Sequence, residues 1–145
     1  MSNLTADAAE SARTLVVERV FPHPAEKIWR ALTESPLIAQ WLLNNDFEPQ
    51  VGRKFHFQRE PVANWNGVID CRVLILEPLK RLSYSWESLG LETVVEWTLT
   101  PAEGGTHLRM QQSGFPAARE ANYKGAKYGW QSFFNSLERV LGGLN

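Results

Sequence analysis

Five times between residues 53 and 113 a short stretch of alternating apolar and polar residues runs into a chain breaker, and the segment that follows them changes period. The alternating stretches are Arg53 to Arg59, Gly67 to Leu76, Arg81 to Glu87, Thr93 to Thr100 and Thr106 to Ser113. Pro61, Glu77-Pro78, Ser88 to Gly90 and Gly104-Gly105 lie among the breakers. A period of two sends successive side chains to opposite faces, so each stretch predicts a strand with one apolar face. Short links between the strands imply antiparallel pairing. From Ala117 to Leu141 the spacing becomes helical: Ala126, Trp130, Phe133, Phe134, Leu137 and Leu141 share one side and Lys127, Gln131, Glu138 and Arg139 the other, with a stop at Gly142-Gly143. A sheet with one apolar face and a helix with a broad apolar stripe are natural packing partners.

The upstream part adds one strand and two short helices. Arg13 to Phe21 places Leu15 and Val17 on one face and Val16, Glu18 and Val20 on the other, and ends at Pro22. Pro24 and Glu26 suit a helix start, and Ala25, Ile28, Trp29 and Leu32 recur at steps of three and four. Ser35-Pro36 repeats the signal with a capping hydroxyl, before the stripe of Leu37, Ile38, Trp41 and Leu42. The expected fold class is α+β, in the order strand, two short helices, five strands and one long helix. Residues 1–12 read as a flexible lead without signal-peptide or transit-peptide character, and residues 13–145 as a single domain. The register is open around Asp70 to Leu76. Asp70, Arg72, Leu74 and Leu76 share a face opposite Ile69, Cys71, Val73 and Ile75, and a bulge would reconcile them.

Charge and composition narrow the partners. Fifteen Lys and Arg against sixteen Asp and Glu leave a net charge of -1, with no basic tract to hold nucleic acid or an anionic membrane. No apolar run approaches the roughly 20 residues that cross a bilayer. The single cysteine, Cys71, excludes an intrachain disulfide and suits a reducing, cytoplasmic setting. Six tryptophans, seven phenylalanines and three tyrosines mean that either the core is bulky or a cavity is lined with rings.

The stretches VFPHPAEKIWRALTESPLIAQWL, VGRKFHF, RVLILEPLKRLSYSWES, VEWTLTPAEGGTHLRMQQSGF and KYGWQSFFNSL together resemble the SRPBCC superfamily, of START and birch-pollen-allergen type. Within it they are most similar to the branch homologous to the activator of the ninety-kilodalton heat-shock protein ATPase. The likeness runs from about Arg13 to Leu141. It implies a helix-grip fold, in which a curved antiparallel sheet wraps the long C-terminal helix around an apolar cavity. Many bacterial members are single domains, and the branch name invites a link to chaperones and stress response. Two positions depart from the family pattern: Arg53 follows Gly52 where Gly-Gly is common, and Gln112 stands where a histidine commonly precedes Ser-Gly-Phe.

Histidine is the side chain that titrates near neutrality, but His56 and His107 alternate with apolar neighbours and should face outward, and His23 sits between two prolines at a helix start. No phosphate-cradling glycine loop, nucleophile elbow or cluster of metal ligands occurs, so neither a catalytic set nor a metal or cofactor is expected. Cys71 lies within a strand and reads as a small buried hydrophobe.

For the aromatic stripes the plain reading is a filled core. With the resemblance they become cavity walls: Trp41 from the second helix, Phe55, Phe57, Trp65 and Cys71 from the start of the strand run, Tyr84, Trp86, Trp97, Leu108 and Met110 from later strands, and Trp130, Phe133, Phe134 and Leu137 from the final helix. The expected function is binding of a small apolar molecule, lipid-like or polyaromatic, by a monomer or weak homodimer. A module that regulates a heat-shock chaperone ATPase is the alternative. A cavity enzyme of cyclase or hydrolase type ranks third, because no convergent acid or base is readable.

Overall fold

The computed structural model describes residues 13–144; the expected lead, residues 1–12, lies outside the described residues. Strand β1 (Arg13–Phe21) buries Leu15, Val17 and Phe21 and turns Glu18 and Val20 outward. Helix α1 (Ala25–Thr33) starts one residue after Pro24, carries Glu26 in its first turn and Arg30 in its last, and buries Ile28, Ala31 and Leu32. Helix α2 (Ser35–Trp41) buries Leu37, Ile38 and Trp41, and the Trp41 Nε1–H donates to the carbonyl of Ala31 at 2.9 Å, locking the two helices together.

The Ser35 hydroxyl is not the expected cap. Ser35 is already inside the helix, so its Oγ donates instead to the Asn45 carbonyl at 3.1 Å, while Asn45 Nδ2 donates to the Ser35 carbonyl at 3.2 Å. This pair ties α2 to a two-residue strand, β2 (Asn44–Asn45), which is too short to leave a periodic signal.

The remaining strands are β3 (Lys54–Gln58), β4 (Val68–Glu77), β5 (Arg81–Ser88), β6 (Leu91–Ala102) and β7 (Gly105–Phe115). All neighbours pair antiparallel in one open, curved sheet of order β1-β7-β6-β5-β4-β3-β2. β1 joins β7 because the chain returns across the sheet, and the approach is close. A Cβ on Gly105 would lie 1.9 Å from the Phe21 carbonyl oxygen, so only glycine fits there.

The expected bulge in β4 is present. Its register against β5 shifts between Val73 and Ile75, leaving Leu74 outside at 42% exposure while Leu76 packs toward the core opposite Leu82. Ile69, Cys71 and Val73 are buried, whereas Asp70 and Arg72 face solvent.

A short 3-10 turn (Ala117–Arg119) leads into α3 (Glu120–Gly142), which buries Trp130, Phe134, Leu137 and Leu141 against the inner face of the sheet. Each such side chain contributes roughly 1.5–3 kcal/mol of apolar burial. At the centre lies Trp97, fully enclosed. Its ring meets Trp41 at 5.7 Å and Trp130 at 5.5 Å edge-on, and stacks on Phe134 at 5.9 Å. No helix among the described residues is long and apolar enough to cross a membrane.

Candidate functional site

The two halves of α3 are built differently. From Trp130 onward its inner face carries bulky side chains, but in the first half Ala121, Gly125 and Gly129 follow one another at steps of four, with Ala126 beside them. These residues withhold side-chain volume, and a hollow of about 570 Å³ remains between the helix and the end of the sheet. A Cβ added at Gly125 or Gly129 would meet nothing within 4 Å.

The opposite wall comes from the sheet: Ile69 of β4, Trp86 and Ser88 of β5, Leu91 of β6, and Gln112 and Phe115 of β7. Two connections complete the rim. The β3–β4 loop folds back on itself, with Arg59 N–H donating to the Gly67 carbonyl at 2.9 Å and a bridge joining Val62 to Trp65. Gly67 permits this at φ +83°, where a Cβ would lie 2.2 Å from the Arg59 carbonyl oxygen. Arg59 and Trp65 are thereby brought to the hollow, and the Trp65 indole N–H is taken by the Val68 carbonyl at 3.2 Å.

The β5–β6 turn supplies Leu89, a non-glycine residue at φ 55° followed by Gly90 at φ 76°. A two-residue turn of this hand matches the twist of the strands, though a leucine there costs about 1 kcal/mol. Its side chain is 53% exposed at the mouth. Arg119 holds the turn by donating to the Leu89 carbonyl at 3.0 Å and to Asn122 Oδ1 at 2.9 Å, fastening the hairpin to the start of α3.

Inside the wall runs a buried hydrogen-bond relay. Trp130 Nε1–H donates to Gln112 Oε1 at 2.8 Å, Gln112 Nε2 to Thr93 Oγ1 at 2.9 Å, and the Thr93 hydroxyl to the Trp86 carbonyl at 2.9 Å. Gln112 is only 2% exposed, yet its amide retains one further hydrogen and one lone pair. It therefore fixes Trp130 and gives the wall a polar point.

Four of the residues expected to bind ligand line this hollow: Trp65, Trp86, Trp130 and Phe133. The others lie outside its wall, in the packed core. Phe55, Phe57 and Tyr84 cluster edge to face, with Phe57 directly behind Trp86 at 5.1 Å. Trp41, Cys71, Trp97, Leu108, Met110, Phe134 and Leu137 are each at most 4% exposed. The Tyr84 hydroxyl accepts the Trp97 Nε1–H at 2.9 Å, and burial pushes its phenol well above the ordinary range.

Burial does the same to the Cys71 thiol, aided by the charge of Asp70. A neutral, enclosed thiol is a poor nucleophile. Cys71 is therefore expected to stay unmodified by an aromatic disulfide reagent at pH 8 until denaturant unfolds the chain, and fast stoichiometric reaction of the native protein would contradict its placement.

The histidines stand elsewhere. His56 lies on the outer face between Asp46, 3.4 Å away, and Asp70, 3.3 Å away. His107 Nε2 is 2.8 Å from Glu18 across the outside of β1 and β7. His23 Nδ1 is 3.2 Å from Lys27 Nζ, and burial together with that ammonium lowers its pKa. No group of three or more His, Cys, Asp or Glu among the described residues is arranged to hold a metal ion.

A sheet gripping a long helix, with a hollow at one end, is the architecture implied by the resemblance, and the comparison with known families is decisive. The family model described as Activator of Hsp90 ATPase homolog 1-like protein matches residues 22–142. The chain belongs to that family.

Solved structures agree with a place among the Activator of Hsp90 ATPase homolog 1-like proteins. A Mesorhizobium loti protein is 51% identical, with a TM-score of 0.83 over 90% of this chain and 97% of its own. A Rhodobacter sphaeroides protein is 27% identical, with a TM-score of 0.74 over 91% of this chain and 93% of its own. A protein of the dynemicin biosynthetic locus is 27% identical, with a TM-score of 0.76 over 89% of this chain. The match spans 47% of that longer protein. No curated protein matches the chain in sequence.

Proposed function

We propose that this Activator of Hsp90 ATPase homolog 1-like protein binds a small, ring-bearing apolar molecule in the hollow between the first half of α3 and the end of the sheet. The observation that carries the reading is the hollow itself: about 570 Å³, with Trp65, Trp86, Trp130 and Phe133 in its wall. That volume falls within the roughly 300–1,000 Å³ of small-molecule sites. Flat indole faces favour stacked rings over a flexible chain.

No carboxylate, imidazole or thiol is among the described lining residues, which supports binding over proton transfer. The similar protein of the dynemicin biosynthetic locus is in keeping with small-molecule handling. The family description names an ATPase activator, but the hollow speaks for a small molecule rather than a protein partner.

Titrating the neutral dye N-phenylnaphthylamine into nitrogen-labelled protein tests this. Expected are micromolar affinity and amide shifts centred on Trp86, Leu89, Gly125 and Gly129. Absence of binding, or shifts confined to outward positions such as His56 and Arg109, would refute it.

A further inference from the structure

The wall of the hollow carries one charged residue, Arg59, and no acidic residue among those described. The Arg59 guanidinium has no ion pair and no hydrogen bond within the described residues, while its backbone N–H closes the β3–β4 loop on Gly67. A second guanidinium, Arg119, lies at the same mouth, fastened to two lining residues, Leu89 and Asn122. Arg59 stands exposed at the rim of a wall that is mostly indole, phenyl and alkyl with a few neutral polar groups such as Ser88, Gln112 and Asn122, and Arg119 adds a second positive charge at the opening.

At an exposed rim beside an apolar wall a positive charge discriminates by sign. An anion gains a charge-assisted hydrogen bond, whereas a cation meets only repulsion. A guanidinium also presents several donors in a planar fork, which suits a carboxylate or another flat, delocalised anion at the edge of a ring system.

We propose that the ligand is an aromatic acid: a fused or linked ring body lying among Trp65, Trp86 and Trp130, with its anionic group held at the rim by Arg59. This rests on the ligand-binding reading of the hollow and adds the charge of the ligand to it. Arg59 sets specificity, Trp65 travels with it on the same closed loop, and Gln112 supplies a neutral polar contact deeper in the wall.

The test uses two dyes that share a skeleton and differ in charge, anionic anilinonaphthalenesulfonate and neutral N-phenylnaphthylamine, each titrated into the natural protein and into Arg59→Gln, Arg59→Lys and Arg109→Gln. Arg109 lies on the outer side of β7 and controls for general surface charge. In Arg59→Gln the anionic dye is expected to bind about tenfold more weakly, the low end of what a charged hydrogen bond confers. The neutral dye should stay within twofold there, which also shows that the variant is folded. Arg59→Lys should fall between, Arg109→Gln should change neither dye, and added salt should weaken only the anionic dye.

An anionic-dye affinity within twofold of the natural protein in Arg59→Gln would overturn the proposal while leaving the binding reading standing. Equal loss of both dyes would also overturn it, because Arg59 would then shape the hollow rather than read charge. Failure of the neutral dye to bind the natural protein would overturn the binding reading itself, and the proposal with it.

Discussion

Trp97→Ala is expected to destabilise the protein by about 4–5 kcal/mol, and Trp130→Ala by about 3 kcal/mol, within the usual span for removing a large buried ring. The two rings are 0% and 2% exposed and touch each other, so exposure alone predicts nearly equal losses. Their surroundings differ. Trp97 is wedged between Trp41, Phe134 and Trp130, and its removal leaves an enclosed cavity and takes from the buried Tyr84 hydroxyl its one donor among the described residues. Trp130 borders the hollow on one side, so its loss enlarges a space that already exists, and neighbouring side chains such as Phe133 have room to follow. Trp130→Ala also frees one lone pair of Gln112, which water in the hollow can reach. Urea unfolding of both variants measures the difference. A larger loss at Trp130 than at Trp97 would mean that the hollow is closed and filled.

The element order was readable because periodicity reports which side chains are buried, and burial here follows strand and helix geometry closely. Phe55 and Phe57 turn inward on β3 while Lys54, His56 and Gln58 turn outward, as alternation requires. The β4 bulge could be inferred from a conflict between two apolar faces in VIDCRVLIL. β2 could not, since two residues have no period.

The site was less legible for a physical reason. Apolar patterning points to the large side chains that fill space, such as Trp97, Met110 and Phe134, whereas the hollow is made by Ala121, Gly125, Ala126 and Gly129, which leave space empty. The four-residue spacing of Ala121, Gly125 and Gly129 on a helical segment is the signal that would have marked it. Gln112 had a signal as well: it continues the inward set of Leu108 and Met110 on β7, so a polar group had to enter the interior. Arg59 had none, because its position depends on a loop closure that only the approach of Gly67 reveals.

The second large effect follows from those glycines. Glycine inside a helix costs about 0.8–1 kcal/mol relative to alanine, and leucine is nearly as good a helix former as alanine. Because a Cβ at Gly125 or Gly129 meets open space, leucine at both positions should stabilise the protein by about 1–2 kcal/mol from propensity and added apolar contact. The same side chains occupy the hollow. Helical side chains lean toward the N-terminus, so the one at position 129 covers the turn containing 125. Ligand affinity should therefore collapse as stability rises, the signature of a space kept open for use rather than left by poor packing.

The most direct measurement is the affinity of Gly125→Leu/Gly129→Leu for N-phenylnaphthylamine, taken beside its thermal midpoint. Expected are a midpoint several degrees above that of the natural protein, as about 1–2 kcal/mol implies for a chain of this size, and dye binding weakened at least thirtyfold. Unchanged dye affinity in a well-folded double variant would place the ligand elsewhere and contradict the account.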